Sequence, residues 1–226
     1  MRYGKGPVPV RELKERRLAR LRGLYAIVDG SAERPPLELV RAFLRGGAAV
    51  IQLRLKTLPA RELCEVAREA VRVCRQRDAL LLVNDRSDVA RAAGADGVHL
   101  GQEDLPAGAA RDVLGDQALI GVSTHSDAEI DAALAAGADY LGFGPVFETR
   151  SKPGAPLPPP HGLAGLERAV RRAAPVPVVA IGGLTAGSAA GVARAGAACA
   201  AAIGELCRAV DPERAARALA EAFSRG

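Results

Sequence analysis

Residues 80–104 read LLLVNDRSDVARAAGADGVHLGQED, and the fold turns on this stretch. Two short apolar runs, Leu80–Val83 and Gly97–Leu100, flank a segment of helical period, Ser87–Ala93, that stops at Gly94. Apolar runs without polar alternation suit strands covered on both faces, which is the situation in a parallel sheet. Each run is followed at once by polar residues: Asn84-Asp85-Arg86 after the first, Gly101-Gln102-Glu103-Asp104 after the second.

The same rhythm extends in both directions. Strands are expected at 24–28, 49–53, 80–83, 97–100, 118–121, 139–143, 177–181 and 199–203. Helices are expected at 36–45, from Pro59 onward, and at 87–93, 106–114, 126–136, 162–173, 185–195 and 211–223. In the helix after Pro59, Leu63, Val66, Ala67, Ala70, Val71 and Cys74 share one face at i, i+3, i+4 spacing. Gly47, Gly94, Gly137 and Gly196 recur between helix and strand, where left-handed backbone is needed. Eight strand–helix units predict an α/β fold, a (β/α)8 TIM barrel of one domain over residues 23–226. An open doubly wound sheet rarely runs to eight uninterrupted repeats.

The chain has 226 residues, 49% hydrophobic and 25% charged, enough to build a core without disulfides or metal. Its four cysteines form no C-x-x-C pair, which argues against structural zinc and for a reducing, cytoplasmic setting. No apolar run nears the roughly 20 residues that span a bilayer, and no signal peptide is expected. The net charge is +5, and residues 1–22 hold eight basic side chains against two glutamates. This extension is expected to form a solvated helix over Val10–Leu21, packed by Leu13, Leu18 and Leu21. No zinc finger, stacking aromatic pair or helix-turn-helix accompanies it, so no nucleic acid is expected as a partner.

In a barrel of this kind, function gathers at the C-terminal ends of the strands. Gln52, Arg54 and Lys56 follow the second expected strand, Ser123-Thr124-His125 the fifth, and Thr149-Arg150-Ser151-Lys152 the sixth. Arg54 and Lys56 alternate with Leu53 and Leu55, which points both cations toward the mouth. Inward cations need an anion or a carboxylate, and an anion site is favoured. Asp85 and Asp104 end neighbouring strands; they suit Mg²⁺ or helix N-caps equally well. Gly182-Gly183 before Leu184-Thr185 and a helix reads as a phosphate nest over a simple tight turn. The long loop from Pro145 to Pro160 is a candidate lid. His99 is assigned no role, and a lone His125 is a weak acid–base candidate.

Six segments, in order, resemble the thiamine-phosphate synthase family and more loosely the thiazole tautomerases. They are Ile51-Gln52-Leu53-Arg54-x-Lys56, Val83-Asn84-Asp85, Gly97 to Asp104, Gly121 to His125, Thr149-x-Ser151-Lys152, and Ala180-Ile181-Gly182-Gly183. The resemblance implies the (β/α)8 fold and an Mg²⁺-dependent transferase acting on small phosphorylated substrates. It implies that Gln52, Arg54, Lys56, Asn84, Ser123 and Lys152 bind a pyrimidine diphosphate, that Asp85 and Asp104 hold Mg²⁺, and that Thr149, Ser151, Gly182 and Gly183 hold a thiazole phosphate. Within that set Arg54, Lys56, Ser123 and Lys152 carry the catalysis.

Three positions depart from the family pattern. Leu55 stands for an acidic residue, and Ser151 stands for threonine. Ala202-Ile203-Gly204 replaces Val-Val-Ser, leaving backbone N–H groups at Ile203 and Gly204 as substrate contacts. A tautomerase, or a silent binder of thiamine phosphate or a precursor, are the alternatives. A homo-oligomer is possible.

Overall fold

In the computed structural model, which describes residues 9–149 and 159–226, all eight strands form and close into one barrel in sequence order. The strands are β1 (Gly23–Asp29), β2 (Val50–Arg54), β3 (Leu80–Asn84), β4 (Gly97–Leu100), β5 (Leu119–Thr124), β6 (Tyr140–Phe143), β7 (Val178–Ile181) and β8 (Cys199–Ala202). Every neighbouring pair is parallel, and β8 returns to pair with β1 through Tyr25↔Ala201. The helices are α1 (Val10–Arg20), α2 (Pro36–Arg45), α3 (Ala60–Gln76), α4 (Ser87–Ala93), α5 (Ala107–Leu114), α6 (Asp127–Ala135), α7 (Gly162–Ala173), α8 (Ala186–Arg194), α9 (Gly204–Cys207) and α10 (Pro212–Ser224).

Strand side chains divide by the two-residue period into two apolar layers. Leu24, Ala26, Val28, Ile51, Leu53, Leu81 and Val83 face outward and pack with Leu39, Phe43, Leu63, Ala67 and Val71 of α2 and α3. Tyr25, Ile27, Val50, Leu80, Leu82, Leu119, Tyr140, Val179 and Cys199 fill the barrel interior. Full burial of one such leucine contributes about 1.5–3 kcal/mol. Leu55 belongs to the outer layer, facing away from the mouth, as its alternation with Arg54 and Lys56 predicts.

Glycine inside the barrel makes room for the large residues there. A Cβ at Gly121 would overlap the Tyr140 ring, and one at Gly142 would come 2.9 Å from His99 Cε1. The four expected helix-to-strand glycines, Gly47, Gly94, Gly137 and Gly196, all have positive φ.

Some details differ from the sequence expectation. β1 runs on to Asp29 and β5 to Thr124, so Asp29 and Ser123 are strand residues with fixed direction. The short helix α9 has no counterpart among the expected elements. The leading helix buries none of its residues, in keeping with a solvated helix, but Lys14 and Arg17 are tied to the barrel floor. Lys14 Nζ lies 2.5 Å from Asp139, and Arg17 Nε lies 3.0 Å from Asp96. Those aspartates precede β6 and β4 and accept the backbone N–H of Ile120 and Leu81, one strand back. Leu18 and Leu21 pack on the inner layer, while Leu13 is only half-buried.

Candidate active site

The inward-facing register of β1 and β2 ends in charge. Asp29 and Arg54 are ladder partners, and Arg54 Nη1 ion-pairs with Asp29 Oδ2. Burial pushes the Asp29 carboxyl up, but hydrogen bonds from Ser31 and from Arg54 outweigh it and hold the group below its usual range. The compensation that Arg54 requires thus comes in this structure from a carboxylate that the sequence reading did not single out.

Lys56 extends the same line. Its Nζ lies 3.0 Å from Asp85 Oδ2. Asp85 in turn stands within hydrogen-bonding reach of Asp104, whose Oδ2 accepts the Gly101 N–H at 2.7 Å. Burial, then the neighbouring Asp104, raises the Asp85 carboxyl above its ordinary value against the pull of Lys56. Neither aspartate caps a helix, since Arg86 and Pro106 occupy those positions without side-chain bonds. Asp85 has φ +62°, a strained conformation that Asp and Asn tolerate better than most residues. Two adjoining carboxylates with one lysine form a locally electron-rich pair, and this donor set fits a hard divalent cation with open water positions.

Across the floor of the mouth runs a continuous chain of hydrogen bonds. Gln52 Nε2 donates to Asn84 Oδ1 at 2.6 Å, which orients its amide and presents Oε1 to the Tyr25 hydroxyl at 2.9 Å. That bond uses the one proton of Tyr25. The Tyr140 hydroxyl, 3.1 Å away, therefore donates to Tyr25 and accepts from His99 Nδ1 at 2.9 Å. His99 Nε2 is then an acceptor, and Ser123 Oγ, 2.9 Å away, donates to it. Proton directions along the chain follow from this count of donors. The network uses the Ser123 Oγ proton and leaves its lone pairs unused, on a residue that lines the cavity. Burial raises both tyrosine hydroxyls far above their usual pKa range, so each acts as a neutral hydrogen-bonding group.

Beside this floor opens a cavity of about 690 Å³, lined by Gln52, His99 and Ser123 on one side and by Thr149, Gly182, Gly183, Ile203 and Gly204 on the other. Gly182 and Gly183 both have positive φ. The segment after β6 also presses on them: Val146 N–H bonds Ile181 O at 2.9 Å and Phe147 N–H bonds Gly182 O at 3.0 Å. A Cβ on Gly182 would come 2.6 Å from Pro145 Cα. Close packing and turn geometry thus both require the glycine pair, whatever it binds.

The expected residues fall on one rim in two groups. Arg54, Lys56, Asn84, Asp85 and Asp104 cluster at the ends of β2 to β4. Thr149, Gly182, Gly183, Ile203 and Gly204 lie across the mouth; Gln52 bonds Asn84 of the first group and lines the cavity of the second, and Ser123 lines that cavity too. Ser151 and Lys152, with most of the candidate lid, lie outside the described residues. His125 lines the cavity, its Nδ1 held by Gly144 O. The sequence reading missed Asp29, Tyr25, Tyr140 and the part played by His99. Asp29 alone carried a signal, an acidic residue directly after an apolar strand.

A closed parallel barrel whose carboxylates, cations and polar network converge on the C-terminal rim defines a (β/α)8-barrel enzyme. The family model described as thiamine monophosphate synthase matches residues 24–206, and the chain belongs to that family. It is 50% identical over 221 residues to a thiamine-phosphate synthase of Anaeromyxobacter dehalogenans, covering 97% of this chain and 96% of that one. It is likewise 50% identical over 204 residues to a thiamine-phosphate synthase of Moorella thermoacetica, covering 89% and 96%. The solved thiamine phosphate pyrophosphorylase of Pyrococcus furiosus superposes with a TM-score of 0.83 at 38% identity, over 92% of this chain and 98% of that one. The chain is accordingly a transferase of thiamine biosynthesis. Among the described residues no helix is long and apolar enough to cross a membrane.

Proposed function

We propose that the enzyme joins 4-amino-2-methyl-5-(diphosphooxymethyl)pyrimidine to 4-methyl-5-(2-phosphooxyethyl)thiazole, or its carboxy form, yielding thiamine phosphate and pyrophosphate. The observation that carries this reading is the two-sided mouth. A cation–carboxylate cluster of Arg54, Lys56, Asp85 and Asp104 faces a glycine-lined cavity across the Gln52–Ser123 floor.

Asp85 and Asp104 would hold Mg²⁺, which when bound neutralises charge developing on the leaving pyrophosphate. Arg54 and Lys56 supply further positive charge to the diphosphate, and Lys152 is assigned the same role. The carbon–oxygen bond of the pyrimidine methylene breaks with its electron pair leaving on pyrophosphate. The electron-rich aminopyrimidine carries the resulting positive charge until the thiazole nitrogen attacks and the new carbon–nitrogen bond forms. Ser123, held as a donor to His99, turns oxygen lone pairs toward that cationic centre, where they stabilise developing positive charge. Gln52 and Asn84 fix the pyrimidine by amide hydrogen bonds. Thr149, Ser151, the Gly182-Gly183 turn and the backbone at Ile203 and Gly204 receive the thiazole phosphate. Little proton transfer is required, which suits a rim rich in cations and poor in acid–base dyads. The long loop from Pro145 to Pro160 is assigned to excluding water, which would otherwise capture the same carbocation.

The test is incubation of the purified chain with both substrates and Mg²⁺, with thiamine phosphate quantified as fluorescent thiochrome. Product that disappears with EDTA is the expected result. No product from either thiazole phosphate, with ligand binding retained by calorimetry, would overturn the synthase reading.

A further inference from the structure

The cavity beside the Gly182-Gly183 turn has an electrostatic problem as a phosphate site. Among the described residues lining it, Glu148 and Glu205 are carboxylates, and Arg208 is the one arginine or lysine. Arg54 and Lys56 do not line this cavity, and both are engaged by aspartates. An anion entering this end meets a carboxylate excess unless Arg208 turns toward it.

Arg208 follows α9. Its backbone N–H bonds Gly204 O at 3.2 Å, and its side chain folds back over Gly204. A Cβ at residue 204 would stand 2.6 Å from the guanidinium Cζ and 2.7 Å from Nη1, closer than Cβ atoms approach. The guanidinium therefore occupies the space that any side chain at 204 would take. Gly204 is not among the glycines with positive φ, so its missing side chain serves this space and not a turn. Arg208 is exposed and makes no hydrogen bond or ion pair from its side chain to a described residue. An unpaired guanidinium offers a planar fork of donors that matches two oxygens of a phosphate monoester.

We propose that Arg208 is the cation that binds the phosphate of the thiazole substrate, in a niche that Gly204 keeps open. This rests on the reading that this end of the site takes a phosphate monoester. A serine or alanine at 204 would displace the Arg208 guanidinium from its place in this geometry, so the two positions are coupled: the missing side chain at 204 leaves room for the charge from 208.

The test uses initial rates of the full chain with thiazole phosphate varied at saturating pyrimidine diphosphate and Mg²⁺. Arg208→Ala is expected to raise KM for thiazole phosphate at least tenfold on the order expected for a charge-assisted contact, with kcat within about threefold and the melting temperature near that of the parent. Arg208→Lys is expected to recover part of the loss. Gly204→Ala, which pushes the guanidinium aside, is expected to raise KM as well, and to add nothing in the Arg208→Ala background. An Arg208→Ala KM within about twofold of the parent would overturn the proposal, because a bidentate charged contact removed at no cost was never made. Should the parent form no thiamine phosphate, the synthase reading fails separately, and inorganic phosphate binding by calorimetry decides on Arg208. Phosphate binding lost in Arg208→Ala supports the site; equal binding in both chains, or none in either, overturns it.

Discussion

Asp29 and Arg54 are partners in the β1–β2 ladder, and their side chains meet in an ion pair at the mouth of the barrel. The strand ladder itself sets this distance, so Arg54 is presented rigidly before any ligand arrives. A guanidinium held by one carboxylate keeps donors for a second anion.

Asp29→Asn tests that arrangement. Its carboxyl is held below its ordinary range in the folded chain, so it adds stability above the unfolded pKa and loses it as pH falls through the folded one. The substitution is expected to cost about 2 kcal/mol at pH 7, less than breaking a fully buried pair because the Arg54 side chain is partly exposed. Urea midpoints measured against pH should show this difference closing below about pH 4. The variant should also raise KM for the pyrimidine diphosphate, as Arg54 loses its fixed position.

Asp85→Asn has the opposite sign. Because burial and Asp104 raise the Asp85 carboxyl, its ionisation opposes folding, and its contribution is full below the unfolded pKa and lost as pH rises. Removing the charge is expected to stabilise the metal-free protein by up to about 1 kcal/mol at pH 7, with the gain vanishing below about pH 4. Asparagine also tolerates the positive φ at this position. The same variant should need at least about tenfold more Mg²⁺ for half-maximal rate. A variant that is neither more stable at pH 7 nor weaker toward Mg²⁺ would contradict the metal assignment.

Tyr140→Phe cuts the floor network between Tyr25 and His99. Loss of two buried hydrogen bonds is expected to lower stability by about 1–3 kcal/mol. His99 loses the acceptor that fixes its tautomer, so Ser123 is no longer held as a donor. The rate at saturating substrate should fall more than either KM rises, which steady-state kinetics will resolve. His99→Asn should lower kcat in the same way.

Lys14→Met and Arg17→Met address the barrel floor. Asp139 and Asp96 would lose their α1 partners, although Asp139 keeps Arg111 Nη2 at 2.5 Å. Each substitution is expected to cost about 1–2 kcal/mol, read as a lower melting temperature. Neither residue approaches the mouth, so both KM values should stay at the parent's level.

Much of the barrel was legible in local sequence, because a strand covered on both faces shows itself as a short apolar run. The runs at 80–83 and 97–100 and the glycines that follow the helices encode strand, helix and joint within about twenty residues of one another. The polar residues after each run, Asn84, Asp85 and Asp104 among them, could be placed on one rim by the same local reasoning. Alternation along the second strand sufficed to send Arg54 inward and Leu55 outward.

What tertiary structure alone decided was pairing between residues distant in the chain. Tyr25 and Tyr140 look like ordinary core aromatics in their own strands. Barrel closure brings their hydroxyls to 3.1 Å, and Gly121 leaves the space that lets the Tyr140 ring enter. Arg54 could be seen to need a counter-charge, but only the β1–β2 register shows that Asp29 supplies it. Arg208 reads as a surface arginine until α9 folds its side chain over Gly204. Local sequence sets which residues point inward, since side-chain direction follows backbone period. Which of them then meet depends on strand register and closure, and these are properties of the whole barrel.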